Sequence, residues 1–303
     1  MIRFVQQSSL ANGAHELPER YDVAFVGTPM DDRGARCRSI AEGSANRLVS
    51  TEYIPDVPHL LLDGVPHRPS DMDAIVRFAP ASRVLLDATS LDFVEMLLLC
   101  KAYLQNPGVE VGFVYAEPHN YVPSSSRADA TADFAFSEAS RGTHSVPGFA
   151  PELRDDSKGW MFVCVGYESY RLHRILEEDD GAFIRSTTLV FGIPPYKTNW
   201  ELHALLPHLS LLSDQPGFDI AFAGANNPRA TYLELRKTAE AVAGMTQGQL
   251  LVAPLGSKPS AIGVVLFSCL RNDIRLKYDF PIRTAGGTVG VGNIYRYLVA
   301  SGS

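Results

Sequence analysis

The sequence predicts an α/β protein built on a mostly parallel sheet covered by helices on both faces. Three observations carry that prediction. Short, strongly apolar runs such as Arg83–Asp87, Trp160–Val165 and Ser186–Phe191 have the composition of strands buried on both sides. Segments with helical spacing and helix-start residues lie between those runs, so successive strands need crossover connections and pair in parallel. Polar, glycine- or proline-containing turns follow the strands, where ligand loops of such sheets are found.

In order, Asp22–Val26 is the first strand. It ends at Gly27-Thr28-Pro29 before the charged run Asp31-Asp32-Arg33 opens a helix; there is no G-x-G-x-x-G fingerprint. A short strand and a helix near Asp71–Phe78 are expected within residues 43–80. Arg83–Asp87 leads through Ala88-Thr89-Ser90 into Leu91–Leu104, apolar on almost every face and hence a buried helix; Ser90 is its expected N-cap. Val109–Tyr115 closes with Glu117 marking the strand's carboxyl end. Trp160–Val165 ends at Gly166 and runs through Glu168 and Arg171 into a helix reaching about Glu178. Ser186–Phe191 ends at Gly192, with a helix to about His208 behind it. Phe218–Phe222 is a further strand, and Asn227-Pro228 opens a helix stopped by Gly244. Leu250–Leu270 is the most ordered stretch. A buried strand turns at Gly256, Ser257 caps the next helix, and Lys258 and Pro259 form its first turn. Ile274–Tyr278 is the last regular strand; the glycines at 286, 287, 290 and 292 suit a bulged strand or a close approach to a ligand.

This order divides into an N-terminal extension (1–20), a first α/β half (21–121), a connector or lid (122–158) and a second α/β half (159–303). The two halves share a sequence of events, which makes them candidates for structural repeats: a strand, a glycine and an acidic-plus-arginine helix start; later a strand, a polar loop and a very apolar helix. The organisation is Rossmann-like.

With 46% hydrophobic and 20% charged residues, the composition belongs to a globular chain, and 303 residues can bury a large core. The net charge of −7 argues against a nucleic-acid partner. No segment has the apolar run of a signal peptide or membrane helix, so a cytoplasmic location is expected. Cys37, Cys100, Cys164 and Cys269 lack C-x-x-C spacing and the histidines lack H-E-x-x-H spacing, so buried thiols are expected and no metal site. G-x-S-x-G and Walker patterns are absent too.

The strand-end rule selects the candidate residues. Gly256, Ser257 and Lys258 would hold a phosphate or carboxylate at a helix amino end, or else form an ordinary solvated helix start. Gly27, Thr28, Asp32 and Arg33, with Thr89 and Ser90, would line the pocket, joined by Gly166, Arg171 and Gly192. Glu117, Glu168 and Asp87 are the acid/base candidates, because a carboxylate in a semi-enclosed pocket can titrate near neutrality; nothing in the spacing brings Glu117 and Glu168 together, and Asp87 is otherwise a strand-end residue beside Ser90 as a helix cap. Pro194, Pro195, Tyr196 and Trp200 form either an aromatic wall or a packed turn.

The stretch Val252–Pro259 with its apolar helix resembles the strand, Gly-Thr-Lys-type loop and helix of CARF-type Rossmann-like sensor domains. Ser257 stands in the hydroxyl position and Lys258 is the basic residue; the wider pattern is also similar to a group of uncharacterised bacterial Rossmann-like proteins. CARF-type domains bind cyclic or linear oligoadenylates across a dimer in prokaryotic antiviral systems. The resemblance covers one loop and its flanks, with no effector nuclease segment or helix-turn-helix behind it. It implies a nucleotide-like small molecule as ligand, and a sensor or accessory subunit with a protein partner in a defence complex. Two other functions stay open beside it: an enzyme acting on a nucleotide or nucleoside through those carboxylates, and a non-catalytic interaction subunit docking through residues 122–158. The sequence leaves cofactor and oligomeric state undetermined.

Overall fold

The fold is that of a computed structural model, which describes all residues except 1, 11–12, 123–133, 135, 143, 152–157, 178–182, 215–216 and 303. Along the chain the elements are β1 (Ile2–Ser9), β2 (Tyr21–Val26), α1 (Asp32–Ser44), β3 (Ala45–Ile54), β4 (His59–Leu62), β5 (Val65–His67), α2 (Met72–Phe78), β6 (Arg83–Asp87), α3 (Phe93–Leu104) and β7 (Glu110–Tyr121). There follow β8 (Ser137–Ser140), β9 (His144–Ser145), β10 (Lys158–Cys164), α4 (Ser169–Glu177), β11 (Ile184–Phe191), α5 (Glu201–Leu205), a single 3-10 turn (Leu206–His208) and α6 (Leu209–Asp214). The chain ends with β12 (Phe218–Phe222), α7 (Pro228–Ala243), β13 (Gly248–Pro254), α8 (Lys258–Ser268), β14 (Ile274–Tyr278), β15 (Pro281–Arg283) and β16 (Thr288–Ser301). The protein is α/β, and it divides into two compact units, Met1–Tyr121 with Thr288–Ser303, and Val122–Gly287.

The first unit holds an eight-stranded mixed sheet in the order β1-β16-β7-β6-β2-β3-β4-β5. Its centre, β7-β6-β2-β3, is parallel, because α1 carries the chain from β2 to β3 and α3 from β6 to β7. Antiparallel strands complete both sides. At one side Asp63 and Gly64 both take positive φ (48° and 79°), the backbone of a two-residue hairpin turn that matches strand twist, and they fold β5 back on β4. Adjacent residues of β2 meet different helices: Ala24 and Val26 cluster with Cys37, Ile40 and Ala41 of α1, whereas the Phe25 ring lies 5.7 Å from that of Tyr103 on α3. A core contacted from alternate residues of one strand requires apolar side chains throughout it, which is why β2 reads as a continuous run.

In the second unit, five parallel strands run in the order β12-β11-β10-β13-β14, with β9 antiparallel at the edge, and β8 and β15 form a separate two-stranded ribbon. Met161, Val163, Leu189, Phe191, Leu251 and Ala253 from the central strands form one core with Leu172 and Ile175 of α4, Ala204 of α5 and Leu211 of α6. Helices α7 and α8 pack on each other, with Tyr232 edge-on to Phe267 at 5.7 Å, and the whole stretch Pro259–Ser268 is buried.

Several expectations are revised. Residues 2–9, read as part of an extension, form β1 against β16. Thr288–Ser301, read as the end of the second half, pairs with β7 in the first unit, and its register slips between Val291 and Ile294. That pairing extends β7 to Tyr121, so Glu117 lies inside a strand rather than at its end. Ser90 is not the N-cap of α3: Asp92 is, with Glu95 accepting from its backbone N–H at 2.6 Å. Two stretches of the expected connector, 123–133 and 152–157, and the expected helix end at residue 178 lie outside the described residues.

Candidate functional site

In a parallel sheet, two neighbouring strands whose following connections leave in opposite directions open a crevice at their carboxyl ends. Each unit has such a place. In the first it lies between β2, which leads to β3 on one side, and β6, which leads to β7 on the other. In the second it lies between β10, which leads to β11, and β13, which leads to β14. The candidate residues are divided between the two units: Gly27, Thr28, Asp32, Arg33, Asp87, Thr89, Ser90 and Glu117 in the first, Gly166, Glu168, Arg171, Gly192, Gly256, Ser257 and Lys258 in the second.

The crevice of the first unit is closed by its own hydrogen bonds. The buried Asp87 carboxylate accepts from the Thr89 N–H (3.0 Å) and from the Ser90 hydroxyl (2.5 Å), and Ser90 Oγ in turn accepts from the Gly27 N–H at 2.9 Å. Thr89 Oγ1 accepts from the Ala116 N–H at 3.0 Å and donates to the Cys37 thiol at 3.2 Å. The ends of β2 and β6 and the middle of β7 are thus tied by side chains whose bonding capacity is largely used internally. Thr28 and Asp32 are exposed beside them. Arg33 pairs with Asp31 (2.7 Å) and reaches the Ala116 carbonyl at 3.4 Å. Burial alone would raise the Asp31 carboxyl, but the Thr288 hydroxyl at 2.6 Å and the Arg33 charge outweigh it and hold the group below the usual range.

Glu117 is buried against β16. Its Oε1 accepts from the backbone and side-chain amides of Asn293 (3.1 and 2.7 Å) and its Oε2 from the Tyr295 hydroxyl at 3.2 Å, at the place where the β16 register slips. A carboxylate held by three donors anchors the bulge.

At the second unit's crevice, a Cβ built on Gly166 would stand 2.3 Å from the Leu255 carbonyl oxygen, so only glycine lets the β10 and β13 loops come together. Behind Leu255, Ser257 caps α8, accepting from the Ser260 N–H at 3.3 Å and donating to the Ala225 carbonyl at 2.7 Å. The Ala225 N–H donates to the Pro194 carbonyl at 2.9 Å, and Gly192 lies against Ala225. The loops after β10, β11, β12 and β13 are therefore linked in one continuous rim. Lys258 is the first residue of α8, half-buried on that rim. Tyr196 packs edge-on to Trp200 (6.4 Å), and Trp200 lies beside His203 (6.4 Å), so these rings belong to the turn after β11.

The other two expected residues of this unit form an ion cluster. Arg171 donates two 2.6 Å hydrogen bonds to the fully buried Asp279 carboxylate and lies 3.4 Å from Glu168. Burial would lower the guanidinium's pKa, but the hydrogen bonds and charge of Asp279 drive it further up. Glu168 Oε1 also accepts from the N–H groups of Phe136 (2.8 Å) and Ser137 (3.0 Å) and from the Ser137 hydroxyl (2.9 Å). The Ser140 hydroxyl donates to the Asp279 carbonyl. The cluster thus fastens the β8–β15 ribbon to the start of α4 and the end of β14. Sequence reasoning picked Glu168 and Arg171 from their place after β10 but missed Asp279, the stronger partner; the Tyr-Asp-Phe-Pro turn after β14 was its only signal.

All four cysteines are buried as thiols. Burial, and then the Asp87 charge, pushes Cys37 far up, and burial pushes Cys164 up to about 12. Since the thiolate is the reactive form, a disulfide reagent at mildly alkaline pH is expected to titrate none of them in the native protein and all four after denaturation. Rapid native labelling of Cys37 would contradict the burial described.

Among the described residues, no group of three or more His, Cys, Asp or Glu is placed to hold a metal ion, and no helix is long and apolar enough to cross a membrane. The chain matches no protein-family model and no curated protein.

Proposed function

We propose that the second unit is a Rossmann-like body, with α4–α6 on one face of its sheet and α7–α8 on the other, that binds a nucleotide-like or phosphorylated small molecule between the β10 and β13 loops. The observation that carries this reading is the strand-order reversal at which Gly166 meets Leu255 directly beside the amino end of α8. Backbone N–H groups at a helix start favour an anion, and Lys258 adds a positive charge at that start. The strand, Gly-Ser-Lys loop and apolar helix, similar to those of CARF-type sensor domains, support a nucleotide as that anion and a sensor or accessory role in prokaryotic antiviral defence. The first unit, with its own reversal and a glycine after β2, is read as a related half whose crevice has become structural.

An acid/base enzyme is the weaker reading, because Asp87, Glu117 and Glu168 each spend their oxygens on backbone and neighbouring donors. The test is a melting-temperature screen against inorganic phosphate, AMP, ATP and linear and cyclic oligoadenylates. A ligand at a hundredfold excess over its Kd stabilises by about 2.7 kcal/mol, which moves a unit of this size by several degrees. Lys258→Ala is expected to remove the rise. No rise with any of these compounds, or a rise unchanged in Lys258→Ala, overturns the reading.

A further inference from the structure

We propose that β12 is an interface for a second copy of this chain, the two copies pairing edge to edge, antiparallel about Ile220, to continue the parallel sheet of one second unit into that of the other. Exposed sheet edges template further strands, and chains that stay apart protect them with prolines, charges, bulges or very short strands. The other outer edges of the two larger sheets carry such protection. Strand β5 has three residues and contains Pro66, β9 has two residues, and β1 is bulged between Phe4 and Gln6 and continues as Gln-Gln-Ser-Ser. Strand β12 is the least protected: it pairs with β11 in unbroken register, contains neither proline nor a basic residue and only one charge, Asp219, and leaves Ile220 50% and Phe222 58% exposed.

Its outward groups can be read from the ladder. The Ala223 N–H donates inward to the Phe191 carbonyl, so by alternation Ala221 and Asp219 also bond inward, and the N–H and C=O groups of Phe218, Ile220 and Phe222 point outward. The side chains of those three residues share the face on which Leu189 and Phe191 meet α4–α6.

The occupant follows from self-complementarity. The sequence Phe-Asp-Ile-Ala-Phe reads nearly alike in both directions, as a two-fold interface requires of each contributing patch. Centred on Ile220, antiparallel pairing sets Ile220 against its own copy and Phe218 against Phe222 twice, all apolar cross-strand pairs. It sets Asp219, the strand's one charge, against Ala221 rather than against another carboxylate. Helices α5 and α6 on the same face expose Leu202 (43%) and Leu209 (49%), and α5 contacts β11, the neighbour of β12, so apolar surface continues inward from the edge.

The test is sedimentation equilibrium of the full chain from low to high micromolar concentration, with Ile220→Lys as the disrupting variant and the melting temperature as the folding control. Wild type is expected to be a dimer and Ile220→Lys a monomer whose melting temperature matches that of wild type diluted until it too is monomeric. Should that variant fail to fold, cysteine cross-linking decides. In a hydrogen-bonded antiparallel pair the Cα atoms are about 5.5 Å apart, inside the roughly 4.4–6.8 Å range of disulfides. Ile220→Cys is thus expected to link to itself on oxidation, and Phe218→Cys to link to Phe222→Cys in a mixture but not to itself. A monomeric wild type, a dimer that survives Ile220→Lys, or Phe218→Cys linking to itself as readily as Ile220→Cys each overturns the proposal.

Discussion

Gly166→Ala is expected to destabilise the second unit by about 3 kcal/mol, at the upper end of ordinary overpacking costs. The added methyl would sit 2.3 Å from the Leu255 carbonyl oxygen, and the obstacle is backbone, so no rotamer change relieves it. Either the β10 and β13 loops separate, breaking the rim, or the strands shift within a core already close-packed. Both tryptophans, Trp160 and Trp200, belong to this unit, so denaturant unfolding followed by intrinsic fluorescence reports it directly. Gly244→Ala is the control: its φ of −76° is ordinary for any residue and its nearest atom lies at 3.4 Å, so a change within about 0.5 kcal/mol is expected. Equal effects of the two substitutions would remove the close approach from the account.

Asp279→Asn is expected to cost about 3 kcal/mol, because it leaves the Arg171 guanidinium buried without its bidentate partner. The range for breaking such a pair is about 3–5 kcal/mol, and Glu168 at 3.4 Å places this case at the low end by retaining some countercharge. Adding Arg171→Met to Asp279→Asn is expected to recover more than half of the loss, since the uncompensated charge is then gone; the double-mutant cycle measures the coupling. The ribbon anchored by Glu168 should loosen in Arg171→Met alone. A loss of under about 1 kcal/mol for Asp279→Asn, the range of an exposed pair, would mean that the cluster is open to water.

What the sequence disclosed follows from which forces are local. Strands such as Trp160–Val165 and helices such as Leu91–Leu104 were legible because burial on all sides demands uninterrupted apolar residues, and Ser257 and Asn227 because a cap acts within one turn. The β4–β5 hairpin had a local signal, Asp63-Gly64, that the alternation of turn residues around it obscured. Strand β16 lacked one: glycines interrupt its first half, and its pairing with β7 joins residues over 160 positions apart. The same non-locality hid the true neighbours of the site residues. Nothing near Glu117 points to Asn293, and nothing near Arg171 points to Asp279. Strand-end position singled out polar residues, but whether each faces a crevice or a distant backbone amide depends on strand order, which the sequence does not state.

The most direct test of the central claim, that the crevice between β10 and β13 is where this protein takes its ligand, is amide hydrogen exchange with and without the nucleotide that most raises the melting temperature. The predicted result is slowed exchange at residues 166–168 and 256–261, with residues 27–34 and 88–91 of the first unit unchanged. Protection confined to the first unit's sheet end, or none at the start of α8, would contradict it.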